Sequence, residues 1–295
     1  MLKRTLAISL VLVAVLSFTA CEEGEELPSA EEIIDGVIEA MGDVRTQEFD
    51  MNMAMGMAGE AEDETFSMTM EMAMSGAVDI ENKQMRMEMA MSMATPGEEE
   101  EVDMGVEVYL LDDEVYMMMD VPGMESAWRK SELTEEQWEE MMEVINLAES
   151  QLELLDVANV RVTGTEEIKG VDCYVLQITP DAEQLWNLAQ EQMELPGQEL
   201  PDFGEFLDKD VVEERLQEMF HSFSVKQWVA KDTYFLMKAE VDMDMELNPG
   251  DLGYSEEEGE MTMGIAMSLL AYNYNQPISI VLPPEAEEAI EEPGW

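Results

Sequence analysis

Thirteen methionines between residues 49 and 93 are the residues whose type and spacing suggest chemistry. They fall in three runs, and within each run they occupy every second position. The runs are Met51, Met53, Met55 and Met57; Met68, Met70, Met72 and Met74; and Met85, Met87, Met89, Met91 and Met93. A thioether is apolar and adaptable, and it is also a soft ligand for Cu(I). The runs therefore suggest an apolar binding surface or a copper site.

The alternation predicts that each run is a β-strand. Successive side chains of a strand point to opposite faces, so each run places its thioethers on one face and residues such as Asn52, Glu71 and Glu88 on the other. A helix would distribute the same residues around its circumference. The connections at 59–64 and 81–83 are short and polar, which predicts an antiparallel meander with one apolar face.

A structural role alone is an alternative explanation of these methionines. Burying all thirteen side chains would contribute roughly 20 to 40 kcal/mol as an upper bound, at ~1.5–3 kcal/mol each. β-branched residues would nevertheless pack a strand better, whereas methionine recurs on surfaces that accommodate variable apolar partners. Both interpretations stay open from composition.

A Cu(I) store is the other chemical hypothesis, and the strand geometry disfavours it. Neighbouring methionines on one strand face start about 6.6 Å apart, so one ion would need sulfurs from several strands. Copper sites built from methionine often add histidine, and His221 is the one histidine of the sequence. We therefore predict no metal and no cofactor.

The elements that would position the methionine strands include four predicted helices. They begin near Ser29, Thr134, Pro180 and Asp208. Ser29 with Glu32 forms a capping box, and Thr134 with Gln137 forms another. The second helix carries Trp138 and Met142, and the third carries Trp186.

Further strands are predicted by alternation and β-branched content at 104–111, 114–119, 160–168, 171–179, 223–229, 234–247 and 261–274. Runs of strands with helices inserted late predict an α+β fold with an antiparallel sheet. A sheet of about ten strands must curl. We expect its concave face to be apolar and covered by the helices.

The N-terminus has the pattern of a secretory signal peptide over residues 1–20. Lys3 and Arg4 precede an apolar run at 5–18 that is too short to span a bilayer. Residues 16–21 resemble a bacterial lipobox, in which Cys21 is lipidated and becomes the mature N-terminus. Lipidation would anchor the protein to the outer side of the cell membrane through a tether at 21–28, ahead of a single domain at 29–292. A secretory signal without lipidation is the alternative.

Composition excludes several functions. The chain has 69 acidic and 14 basic residues and a net charge of −55, which excludes nucleic acid as a partner. A solubility role or adaptation to a salty habitat would explain that charge. The second cysteine, Cys173, lies within an apolar segment and is expected to be buried. With one histidine and one such cysteine, the sequence offers no activated nucleophile, so an enzyme is not predicted.

Three segments resemble LolA and LppX-like envelope proteins and a related group of bacterial lipoproteins of unassigned role. They are residues 29–34, 170–176 and 224–234. The resemblance implies an unclosed antiparallel β-barrel wrapped around helices, with a hydrophobic cavity that carries acyl chains. Relatives carry lipoproteins or glycolipids across the envelope, and others sense lipids.

Together these features predict a lipid or an acylated ligand as the partner. The predicted ligand-lining residues are Met53, Met55, Met70, Met72, Met87, Met89, Trp138, Met142 and Trp186. An envelope sensor or scaffold, which binds a protein partner without transferring lipid, is the alternative. The sequence leaves the ligand's identity and the oligomeric state open.

Overall fold

The computed structural model describes residues 27–61, 64–95, 102–111, 113–134, 137–138, 158–180, 220–247 and 261–291. The signal peptide, Cys21, Met142, Trp186 and the third and fourth predicted helices lie outside the described residues. Those features remain predictions.

The first predicted helix is present as α1, which spans Ala30–Gly42. Its N-terminus is capped as expected, because the Glu32 backbone N–H donates to Ser29 Oγ at 3.1 Å. Ile33 and Val37 lie one turn apart and are both buried. The helix therefore packs through one apolar face.

The strands within the described residues number twelve. They are β1 (Thr46–Ala61), β2 (Glu64–Asp79), β3 (Gln84–Ala94), β4 (Val102–Leu111), β5 (Glu114–Asp120), β6 (Trp128–Glu132), β7 (Ala158–Ile168), β8 (Val171–Pro180), β9 (Phe220–Ala230), β10 (Leu236–Leu247), β11 (Met261–Tyr272) and β12 (Ile290–Glu291). The expectation of about ten strands was too low, because β6 and β12 also pair with the sheet.

The strands form one open sheet in the order β12-β6-β5-β4-β3-β2-β1-β11-β10-β9-β8-β7. All neighbours are antiparallel except β12 and β6, which are parallel. β1 pairs with β11 along its length, and this contact joins the first six strands to the last group. The α+β class and the large, unclosed, curled antiparallel sheet are confirmed.

The predicted second helix begins where its capping box placed it. The Thr134 backbone N–H donates to Gln137 Oε1 at 2.9 Å, and the Gln137 backbone N–H donates to Thr134 Oγ1 at 3.3 Å. Trp138 follows in helical conformation and is buried. The rest of the expected helical cover lies outside the described residues, so a full cover over the concave face is not shown.

We call the sheet face that carries Met51, Met53, Met55 and Met57 the methionine face, and the opposite face the second face. Two clusters of buried residues lie on the methionine face. The α1 cluster comprises Ile33, Val37, Leu176 and Val229. The tryptophan cluster comprises Phe49, Val78, Met85, Leu110, Trp138, Ala239 and Leu269. The core of this face is therefore formed from both ends of the chain.

Candidate functional site

The strand register aligns methionines from neighbouring strands on the methionine face. In an antiparallel pair, directly opposed side chains share a face and lie about 4.5–5.5 Å apart at Cβ. We call three such sets in the described strands the methionine rows. The rows are Met104, Met91, Met72, Met53 and Met267; then Met93, Met70, Met55, Ile265 and Met243; then Met68, Met57, Met263 and Met245.

The side chains of the methionine rows are only partly buried. By contrast, Ala54, Ala73 and Ala90, which alternate with them, are exposed on the second face. A partly exposed apolar surface that extends over several strands is typical of a binding surface. The prediction that alternate thioethers share one face is confirmed.

Charged residues of the central strands lie on the second face. Asp50, Glu71 and Glu88 alternate with the methionines of β1, β2 and β3, and Asp242 and Asp244 alternate with those of β10. Within the described strands, the methionine rows contain no charged residue. The rows can therefore bind an apolar chain without desolvating a charge.

The tryptophan cluster closes one end of this apolar surface. Met85 and Leu110 are each 1% exposed there, and Phe49 is 8% exposed. Phe49 fits against Gly76, where an added Cβ would lie 2.6 Å from the ring. This end is therefore packed tightly, in contrast to the methionine rows.

The predicted ligand-lining residues fall into three groups. Met53 pairs with Met72 and Met55 pairs with Met70, so these four lie together in the rows. Met87 and Met89 lie on the same face but nearer the tryptophan cluster, opposite Val108 and Val106 of β4. Trp138 is buried in that cluster, whereas Met142 and Trp186 lie outside the described residues. A role in ligand binding stays a prediction for all nine.

Sequence reasoning missed the part of the surface that β10 and β11 supply. Met243, Met245, Met263 and Met267 complete the rows on the other side of β1. The same alternation was visible in Met243-Asp244-Met245. The pairing of β1 with β11, which places these residues beside the first runs, spans some 200 positions and has no local sequence pattern.

A cavity of about 760 Å³ lies against the centre of the sheet. Its lining combines methionines of the first row with residues that alternate with them along the strands. The methionines are Met53, Met72, Met91, Met104 and Met267, and the alternating residues include Asn52, Ala54, Glu71, Ala73, Asp103 and Asp242. Because the alternating residues are polar, small or acidic, this is not the purely apolar cavity that was predicted beneath the helices.

Cys173 behaves as the small buried hydrophobe that was predicted. It is 0% exposed, and its thiol donates to the Val171 carbonyl oxygen at 3.3 Å. Burial raises the pKa of this thiol, which keeps it protonated and unreactive. In the part of the chain that the structure describes, no three His, Cys, Asp or Glu side chains are grouped to hold a metal.

The described residues define a class of protein: an open, largely antiparallel sheet that carries charge-free methionine rows on the face where a helix packs. The chain belongs to a family of unknown function, DUF6612, whose family model matches residues 29–291. A search of curated proteins found no match. No helix among the described residues is long and apolar enough to cross a membrane.

Solved structures of LppX and LolA type are similar to the chain. The lipoprotein LppX of Mycobacterium tuberculosis is 12% identical, with 86% of this chain and 100% of LppX covered and a TM-score of 0.35. LprF of Mycobacterium bovis is 10% identical, with 86% and 96% covered and a TM-score of 0.40. A LolA superfamily protein of Nitrosomonas europaea is 13% identical, with 86% and 96% covered and a TM-score of 0.21. The solved structures thus include the LppX and LolA types that the sequence resembles. The function is argued from the chain's own residues.

Proposed function

We propose that the chain is a membrane-anchored, extracytoplasmic lipid-binding protein and that acyl chains lie along the methionine rows. The observation that carries the proposal is the charge-free, partly exposed state of those rows. Contiguous apolar surfaces of this kind rarely stay without a partner. Lipidated Cys21 would hold the protein at the membrane that supplies the lipid.

The energetics of acyl binding suit such a surface. Each methylene that leaves water contributes ~0.8 kcal/mol, so a chain of about twelve carbons gains roughly 10 kcal/mol before the cost of ordering it. No hydrogen-bonding group is required from the protein along the chain. The rows span β10, β11 and β1 to β4, which is about 25 Å at ~4.8 Å per strand.

Methionine suits a ligand whose shape varies. Its unbranched side chain has three rotatable bonds and can follow chains of different length and unsaturation. The tryptophan cluster and the α1 cluster keep the sheet in place beside the rows. The protein would therefore combine a rigid frame with an adaptable surface.

The test compares two pairs of substitutions at neighbouring positions on opposite faces. Met53→Gln with Met72→Gln places polar amides in the rows, whereas Ala54→Gln with Ala73→Gln places them on the second face. We expect the first pair to weaken binding of a fluorescent fatty acid at least about tenfold, because each amide must be desolvated beneath the chain. The second pair should bind like the wild type.

Lipid extracts of the chain lacking residues 1–21 provide an independent check. Mass spectrometry of these extracts should detect co-purified acyl lipid. Absence of lipid together with absence of fatty acid binding would refute the proposal, and loss of binding in the alanine pair alone would move the site to the second face. Transfer of lipid between vesicles would distinguish a carrier from a sensor or scaffold with an envelope protein partner.

A further inference from the structure

Methionine is concentrated where the sheet is partly exposed, and branched aliphatic residues are concentrated where it is buried. Leu176, Ile178 and Val229 are each 0% exposed, whereas Met53 and Met55 are partly exposed. Leucine would supply a similar volume, and β-branched residues suit strands better. Methionine has two properties that neither alternative provides, an unbranched flexible side chain and an oxidisable thioether. The thioether gives these positions a possible chemistry in addition to their packing role.

We propose that the methionine rows are an oxidation site for neutral hydroperoxides and that sulfoxide formation there releases the acyl ligand. The release step rests on the proposed function. The oxidation step does not depend on it.

The reaction needs one hydroperoxide for each thioether. A sulfur lone pair attacks the terminal peroxide oxygen, an S–O bond forms and the O–O bond breaks. Sulfur is oxidised by two electrons, and the peroxide is reduced by two electrons. The proton of the transferred hydroxyl passes to the departing oxygen, so hydrogen peroxide leaves as water and an organic hydroperoxide leaves as an alcohol.

The geometry of the rows explains why oxidation would affect ligand binding. Met53 faces Met72, and Met72 faces Met91, so Met72 has a methionine neighbour on both sides. A sulfoxide is polar, and it would lie beside unoxidised thioethers under the same acyl chain. Each oxidation would remove apolar contact and add a group that prefers water.

The charge of the protein selects the kind of oxidant. A net charge of −55 lowers the local concentration of anions. Hydrogen peroxide and organic hydroperoxides are neutral and are not repelled. The methionine face carries no charged residue in the described rows, so a neutral oxidant meets no electrostatic barrier there.

Met85 and Met91 provide an internal control for accessibility. Both lie on one face of β3, but Met85 is 1% exposed in the tryptophan cluster, whereas Met91 is partly exposed in the methionine rows. Cleavage after Glu81, Glu88 and Glu98 releases them in two peptides, 82–88 and 89–98. After limited treatment of the full chain with hydrogen peroxide, we expect the sulfoxide of Met91 to form at least about tenfold faster than that of Met85, because susceptibility follows exposure.

Release is tested on the full chain loaded with a fluorescent fatty acid. Treatment with hydrogen peroxide should release the fatty acid in step with oxidation of the peptides that contain Met53 and Met70. Replacing Met53, Met55, Met70 and Met72 by leucine should reduce the fraction of bound fatty acid that hydrogen peroxide releases, measured against the binding of the same variant before treatment. Met124→Leu is the matched control, because Met124 is 68% exposed outside the rows, and it should respond like the wild type.

Each outcome decides a separate part of the inference. Equal oxidation rates for Met85 and Met91 overturn the oxidation site. Retention of the fatty acid after the rows are oxidised overturns the release step while the proposed function stands. Failure of untreated protein to bind fatty acid overturns the release step together with the proposed function. If the leucine variant does not fold, the wild-type time course of oxidation and release decides.

Discussion

The α1 cluster and the methionine rows lie on the same face of one sheet, yet they are built differently. In the α1 cluster, Ile33, Leu176 and Val229 are each 0% exposed. In the rows, Met53 and Met70 pack beside other methionines and stay partly exposed. Branched aliphatic side chains have few rotamers, whereas methionine has many.

This difference assigns stability to the α1 cluster and ligand binding to the methionine rows of the same sheet. Fully buried branched side chains gain the most free energy from leaving water and define one packing arrangement. Partly exposed methionines leave apolar surface for a ligand and can adjust to it. Substitutions in the two regions test that separation.

Truncation should cost far more in the α1 cluster than in the rows. Leu176→Ala removes a side chain that is 0% exposed, and we expect it to lower the free energy of unfolding by about 2–5 kcal/mol through the cavity it leaves. Met70→Ala, at a partly exposed position, should cost at most about 1.5 kcal/mol. Urea unfolding followed by circular dichroism measures the free energy of unfolding of both variants. Equal losses of stability would contradict the proposed difference between the two regions.

Glycine replacement should show a related contrast in packing, between the tryptophan cluster and the second face. An added Cβ at Gly76 would lie 2.6 Å from the Phe49 ring and 2.9 Å from the Arg86 carbonyl oxygen, whereas at Gly56 it meets nothing within 4 Å. Gly76→Ala should therefore cost about 1–3 kcal/mol by overpacking. Gly56→Ala should stay within about 0.5 kcal/mol of the wild type. Thermal unfolding with both variants checks this, and a tolerated Gly76→Ala would show that the tryptophan cluster is looser than described.

Stiffening the rows should affect binding more than folding. Replacing Met53, Met55, Met70 and Met72 by isoleucine should leave the free energy of unfolding unchanged or raise it by about 1 kcal/mol, because isoleucine favours strands. The range of acyl chain lengths that bind should become narrower, since the surface can no longer adapt. A competition series of fatty acids measures that range. A large loss of stability would mean that the methionines serve as ordinary core.

The second face, unlike the methionine rows, carries charged residues, and Glu114 with Lys130 is one ion pair among them. Hydrogen bonds from the Tyr116 hydroxyl and from Lys130, whose Nζ is 3.0 Å from Glu114 Oε1, lower the pKa of Glu114 below its ordinary value of 4.5. A carboxylate whose pKa is lowered in the folded state stabilises the protein at pH values above its ordinary pKa. This contribution is lost as the pH falls through the pKa of the folded state. Tyr116→Phe should raise the pKa of Glu114 and weaken the loss of stability on acidification. An NMR titration of Glu114 that is the same in both proteins would contradict this.

Local patterns predicted the elements of this fold well. Alternation located β1, β2 and β3, and the capping boxes at Ser29 and Thr134 located two helix starts. The predicted strands 160–168 and 171–179 left Lys169 and Gly170 between them, and both residues have the positive φ angles that a tight hairpin needs. These features depend on residues a few positions apart, so the sequence expresses them directly.

Contacts between distant segments were not predictable in the same way. β6 and β12 are short and polar, and their parallel pairing depends on the path of residues 273–289 across the sheet. The pairing of β1 with β11 decides which methionines share a row, and it follows from the whole sheet. The cavity at the centre of the sheet was missed for the same reason, since its walls come from six strands.

NMR of the protein with labelled methionine methyl groups can locate a bound acyl chain directly. A fatty acid that carries a spin label on its chain is added, and line broadening reports which methyl groups it approaches. If acyl chains lie along the methionine rows, we expect strong broadening for Met53, Met55, Met70 and Met72. We expect little for Met118, which pairs with Trp128 on the second face. Broadening of Met118 without the row methyl groups, or no broadening at any methionine, would contradict the claim that the methionine rows bind acyl chains.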